Sequence, residues 1–188
     1  MRKKMSTPFK FAGLVGSLRE NSFSKAVFNT LAETSSERIG FNHLDIGALP
    51  HYSEDLEKEL PESVKQARHL IAESDAVIII SPEFNHGMPG VLKNALDWLS
   101  RPAFVSPMMG KHVIFLTISP GALGGVRAQY QLRETLTSML CKMIPLPEIV
   151  IPAIHEKVRD GVLVDESTLE FIRIQLERLI TAVQKDLD

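Results

Sequence analysis

Residues 16–24 read Gly16-Ser17-Leu18-Arg19-Glu20-Asn21-Ser22-Phe23-Ser24. Ser17, Ser22 and Ser24 can donate hydroxyl hydrogen bonds, and Arg19 can add a charge-assisted one, which is the chemistry of phosphate binding. An apolar run from Phe9 to Val15 precedes the segment, and a helix-like stretch from Lys25 to Arg38 follows it. Strand, turn and helix in that order deliver backbone N–H groups and the positive end of a helix dipole to an anion. Neither Gly-x-x-x-x-Gly-Lys-Ser/Thr nor Gly-x-Gly-x-x-Gly occurs here, so an ATP loop and the usual dinucleotide fingerprint are disfavoured. What remains is a serine-lined nest for a terminal phosphate, such as that of flavin mononucleotide. A bridging pyrophosphate matches such a nest poorly, which places FMN ahead of FAD. Helix capping by the same serines is the competing reading, but capping alone gives no reason for Arg19.

Other residue types exclude several chemistries. The six histidines (43, 51, 69, 86, 112, 155) are scattered without metal-ligand spacing, so no metal site is expected. No Ser-His-Asp or Cys-His arrangement is recognisable, and the lone Cys141 is expected as a core residue within a helix. A net charge of −2 supplies no attraction for nucleic acid or an acidic membrane. No apolar run approaches the ~20 residues that span a bilayer. The basic start Met1-Arg2-Lys3-Lys4 is followed by too short and too broken an apolar run for a signal peptide. The expectation is a cytoplasmic protein whose first eight residues form a frayed tail, with a cysteine content that suits a reducing compartment.

The elements that must position these residues alternate along the chain. Strand candidates are Phe9–Gly16, Gly40–Ile46, Ala76–Ser81, Lys111–Ser119 and Ile144–Ile151, and helix candidates are Ser24–Arg38, Pro61–Ser74, Pro89–Ser100, Gly125–Lys142 and Ser167–Leu187. The runs 76–80 and 113–118 are continuously apolar, as in central strands covered on both faces. Five β-α units predict an α/β fold: a flavodoxin-like three-layer sandwich, with a five-stranded parallel sheet in order 2-1-3-4-5 and helices on both faces. A length of 188 residues with no repeat or linker reads as one domain, 1–188. The segments 17–24, 82–87 and 119–125 each follow a strand and therefore gather on one rim, where such folds bind ligands. Longer connections at 47–60, 81–88 and 101–110 are expected to shape that rim.

The residues on the rim carry a family likeness. Gly-Ser-Leu-Arg-x-x-Ser-x-Ser at 16–24, the stretch from Ser81-Pro82-Glu83-Phe84-Asn85-His86-Gly87-Met88-Pro89-Gly90 through Trp98 to Arg101, and Ser119-Pro120-Gly121-Ala122-Leu123-Gly124-Gly125-Val126-Arg127 together resemble the signatures of the NADPH-dependent FMN reductase family. The likeness continues through Leu146-Pro147-Glu148 and Asp160-Gly161-Val162-Leu163 and so spans nearly the whole chain. It implies a flavodoxin-like FMN protein that takes a hydride from NADPH or NADH onto flavin N5. Electrons then pass to a flavin, quinone or similar acceptor, azo compounds and chromate included, in a ping-pong sequence without a catalytic side chain. By the resemblance, Ser17, Arg19, Ser22, Phe23 and Ser24 hold the FMN phosphate end. Pro82, Glu83, Phe84, Asn85, His86 and Gly87 wrap the edge and face of the ring, with Glu83 leaning toward bracing the turn. Ser119 and Gly121 run under its pyrimidine side. Many relatives have Asn at the place of Ser24 and Tyr at that of Phe84, so this chain keeps the contact there but loses reach and a hydroxyl. The resemblance also implies a homodimer or homotetramer, with Lys93, Asn94, Asp97 and Trp98 in the contact segment. A quinone, azo or chromate reductase with the same cofactor, a flavodoxin-like electron carrier and a flavin-binding sensor remain alternatives; carriers are strongly acidic as a rule, and this chain is not.

Overall fold

The computed structural model describes residues 8–35 and 37–187. All but the last residue of the expected tail at 1–8 lies outside the described residues. Strands β1 (Phe9–Val15), β2 (Ile39–Leu44), β3 (Ala76–Pro82) and β4 (His112–Ile118) form a parallel sheet. Together with β5 (Lys142–Met143) the order is β2-β1-β3-β4-β5, as predicted. Helices α1 (Phe23–Thr34), α2 (Glu62–Ala72), α3 (Gly90–Leu99), α4 (Val126–Ser138) and α6 (Glu166–Leu187) cover it, and α5 (Ile154–Lys157) is a single turn.

Alternation along the strands builds two separate cores. Ala12, Leu14, Val77, Ile79, Val113 and Phe115 face α2, α3 and α4. Phe11, Val15, Ile78, Ile80, Ile114 and Leu116 face α1 and α6. This is why the central strands lack an apolar/polar alternation: both faces are dry. Gly13 lets α1 approach the sheet, since a Cβ there would fall 2.0 Å from the Phe28 ring.

The fifth strand differs from expectation. Residues 144–149 are not a strand; its place is taken by β5, paired with the start of β4, and by β6 (Val150–Ile151), paired with the end of β4. Pro145 and Pro147 lie between the two pieces and have no N–H to give to a ladder, so the chain leaves the sheet there. Helix α4 also stops at Ser138 rather than running to Lys142, which moves Cys141 out of the expected helix into the turn before β5. Leu140 takes a left-handed backbone, φ 59°, and the Cys141 N–H bonds back to the Leu136 carbonyl, a helix-ending geometry. Besides α5, the candidates also lack a hairpin of β7 (Val158–Arg159) and β8 (Val162–Leu163). Its Asp160-Gly161 turn has positive φ at both residues, the pattern that tight hairpins require. The hairpin packs on α1, where the buried Thr30 hydroxyl accepts the Leu163 N–H.

Candidate flavin site

The turn after β1 holds its shape through short local bonds. The Ser17 hydroxyl accepts the Arg19 N–H at 3.4 Å, and the Arg19 guanidinium donates to the Asn21 carbonyl at 3.0 Å. The same guanidinium lies 5.8 Å over the Phe23 ring, a cation–π contact that fixes the charge beside the start of α1. Ser22 occupies the N-cap with extended backbone, yet its hydroxyl makes no capping bond. The first N–H groups of α1 therefore keep the unpaired donors that every helix start leaves. Ser24 is 1% exposed, and its Oγ is buried with no hydrogen-bond partner, which is costly unless a ligand oxygen completes it.

The loops after β3 and β4 meet this turn. A cleft of about 100 Å³ is lined by Ser17, Arg19, Ser22, Phe23, Ser24, Pro82, Phe84, Ile118, Pro120 and Ile154. Seven of the residues expected from the sequence thus share one cleft. Glu83, Asn85, His86, Gly87, Ser119 and Gly121 do not line it and lie beside it on the same loops. Asn85 and His86 form the exposed tip of a turn closed by reciprocal bonds between Phe84 and Gly87, 2.9 and 3.0 Å. Glu83 turns away: its Oε2 accepts the N–H groups of Arg127 at 2.9 Å and Ala128 at 3.2 Å, at the start of α4. A carboxylate is well placed there against the helix dipole. The Ser119 hydroxyl accepts the Gly121 N–H at 3.0 Å, which tightens the loop after β4 and leaves its own O–H free to donate.

Sequence reasoning missed Ile118, Pro120 and Ile154 in the cleft wall. Pro120 stands inside a recognised motif and was within reach of it. Ile154 had no local signal, because it arrives from the segment after β6, held by bonds from the Ala153 N–H to the Gly121 carbonyl and from the Ile154 N–H to the Ser119 carbonyl. The expected contact segment on α3 divides. Lys93 and Asp97 pair on the surface at 2.6 Å, whereas Trp98 is fully buried and donates its indole N–H to the Pro50 carbonyl. Asn94 also bonds inward, to Pro50 and Tyr52. Trp98 is thus a core residue that fastens the 47–60 segment to α3, not an interface aromatic. Burial pushes the Cys141 thiol up to about 12, which removes it as a nucleophile near neutrality. Among the described residues no cluster of His, Cys, Asp and Glu is placed to hold a metal ion.

The residues present fit FMN: uncapped helix-start donors, a buried unpaired hydroxyl and a fixed guanidinium for its phosphate, beside an aromatic and proline wall. Comparison with known proteins agrees. The family model for NADPH-dependent FMN reductase matches residues 9–156. A 2-hydroxy-1,4-benzoquinone reductase of a Burkholderia species is 37% identical over 172 residues, 90% of this chain and 93% of that protein. A quinone reductase of Escherichia coli K12 is 36% identical over 186 residues, covering 96% and 98% of the two chains. Among solved structures, the flavoenzyme NAD(P)H:acceptor oxidoreductase FerB of Paracoccus denitrificans superposes with a TM-score of 0.85 at 35% identity, over 94% of this chain and 98% of that one. With the sheet order also in agreement with that match, this chain belongs to the NADPH-dependent FMN reductase family, oxidoreductases that carry FMN and draw electrons from NAD(P)H.

Proposed function

We propose that this protein is an NAD(P)H-dependent quinone reductase, holding FMN on the rim formed by the loops after β1, β3 and β4. The observation that carries the reading is the pairing of a phosphate cradle with an apolar rim. Leu18, Phe84 and Leu123, one from each of the three loops, are 63%, 55% and 56% exposed. Large apolar side chains left in water on the same rim suit a flat, hydrophobic acceptor better than a charged one. The quinone reductases among the relatives support the same acceptor class.

When bound, FMN supplies the hydride-accepting ring that connects the nicotinamide to the acceptor. The chain supplies binding and orientation. Ser17, Ser22, Ser24 and Arg19 hold the phosphate, with Phe23 beneath the guanidinium. Pro82, Phe84, Asn85, His86 and Gly87 border the ring, and Ser119 and Gly121 approach its pyrimidine side. Glu83 contributes by bracing the loop against α4. No side chain on the rim is required as a general acid or base.

The working unit in this reading is a homodimer in the cytoplasm. A groove of about 490 Å³ between α3, α4 and the 101–110 loop is lined by Phe104, Met109 and Leu140, all exposed, and by the Lys93–Asp97 pair. A second copy covers this face. Among the described residues no helix is long and apolar enough to cross a membrane, and a single cysteine, unable to form an internal disulfide, suits a reducing compartment.

The test is spectroscopic. Protein incubated with FMN and freed of unbound ligand should retain a visible flavin band; NADPH or NADH without air should bleach it, and a quinone should restore it. A retained band that neither nicotinamide bleaches would make the protein a carrier or sensor instead.

A further inference from the structure

Asn85 and His86 both sit in the left-handed region, φ 47° and 66°, at the exposed tip of the turn between Phe84 and Gly87. A side chain with a Cβ is sterically disfavoured there, and consecutive strained positions persist only where the surroundings over-determine them. The surroundings do so from one helix. On the entry side, the Glu83 carboxylate accepts the N–H groups of Arg127 and Ala128, with its other oxygen 3.6 Å from the Arg127 guanidinium. On the exit side, the Gln131 Oε1 accepts the Met88 N–H at 2.6 Å. Gly87 makes room for this: a Cβ there would lie 2.6 Å from that same Gln131 oxygen. Arg127 and Gln131 stand one helical turn apart on α4, so both shoulders of the turn are bolted to a single rigid element.

We propose that Glu83 and Gln131 are positioning residues, a clamp that holds the 84–87 turn in its strained shape against the flavin ring. The clamp rests on the reading that this turn borders FMN. Gln131 belongs to none of the sequence motifs, and only the packing of α4 against the loop after β3 brings it there. Glu83 and Gln131 act on the backbone, and the strained tip converts that hold into the placement of Asn85 and its neighbouring N–H groups. Gln131 also lines the groove assigned above to the partner copy, so the same side chain joins the turn to that face.

Amide hydrogen exchange on the apoprotein and FMN titration by flavin fluorescence test this together. Gln131→Leu, which removes the acceptor at similar size, should raise exchange at residues 84–88 about tenfold, the effect of one lost hydrogen bond, while β1, β3 and β4 exchange as before. Its FMN dissociation constant should rise about tenfold by the same reasoning. Gln131→Glu keeps an acceptor oxygen and should restore both. Glu83→Ala, which lies outside the groove, should repeat the loss at an unchanged oligomeric state. Wild-type exchange at 84–88 in the Leu and Ala variants would overturn the clamp. A loosened turn with FMN affinity equal to that of the wild type would overturn its role at the ring. Failure of the wild-type protein itself to bind FMN would reject the flavin reading, and the exchange rates would still decide the clamp.

Discussion

Single residues in this protein divide sharply between those that carry chemistry and those that only hold the chain. In the proposed site Ser24 belongs to the first group. Its buried hydroxyl has no partner, so in the apoprotein it is a cost, which the FMN phosphate would turn into a hydrogen bond to a charged group. Ser24→Ala should therefore separate stability from binding. Urea unfolding of the apoprotein should show stability unchanged or raised by up to ~1 kcal/mol, while FMN affinity falls about tenfold or more. A variant that loses stability but binds FMN normally would place the hydroxyl in the fold and not in the site. Glu83 shows the converse: the bracing role expected of it takes a definite form, with the carboxylate committed to the start of α4. Motif residues name a neighbourhood, and only hydrogen-bond partners tell which of them face the ligand.

At the scale of elements, α6 ties its stability to pH through the residue before it. Asp165 precedes it and accepts the Ser167 hydroxyl at 2.8 Å and the Thr168 N–H at 2.9 Å, with the Lys157 ammonium 3.6 Å away. The bonds from Thr168 and Ser167, with Lys157 adding to them, hold its carboxyl well below the ordinary carboxylate range. A carboxyl whose folded value is lowered stabilises the fold above its unfolded value of about 3.9 and loses that contribution as the pH falls through the folded one. Asp165→Ala should cost about 1 kcal/mol at pH 7, the usual loss for a cap, and the gap from wild type should narrow below about pH 4. Equal destabilisation of the variant at pH 7 and pH 3 would show that the charge of the carboxylate plays no part. The elements also mark where local patterning stops being informative. The apolar run after residue 143 looked like a strand by composition, but its two prolines break the ladder. The Asp160-Gly161 pair between apolar alternations was a readable hairpin signal, although nothing local said that the hairpin would lie on α1.

For the molecule as a whole, the faces not covered by the chain itself are the informative ones. Phe104 is 77% exposed with φ 63° at the tip of the 101–110 loop, an expensive place to keep an aromatic in water. If this face meets a second copy, sedimentation equilibrium should find a dimer, and Phe104→Asp should weaken its association by about tenfold or more, as burying an unpaired charge does. An unchanged mass distribution for the variant would move the interface elsewhere. Phe104 itself belongs to neither core and does not line the cleft after β1, so the variant should still fold and hold FMN.

The layered architecture, the strand order and the loops that gather on the rim were legible along the chain, because continuous apolar strands and amphipathic helices must bury both sheet faces. The sequence also points to the turn after β1 as the candidate phosphate site, since serines and an arginine between a strand and a helix act locally. Which partners those residues keep was settled by packing between distant elements. Trp98 went inward to Pro50, Glu83 to the start of α4, and Ile154 and Gln131 came to the rim from elements distant in sequence. Backbone periodicity fixes which face a side chain takes, whereas the hydrogen bonds that finish a site depend on elements brought together from afar, and no spacing along the chain encodes that meeting.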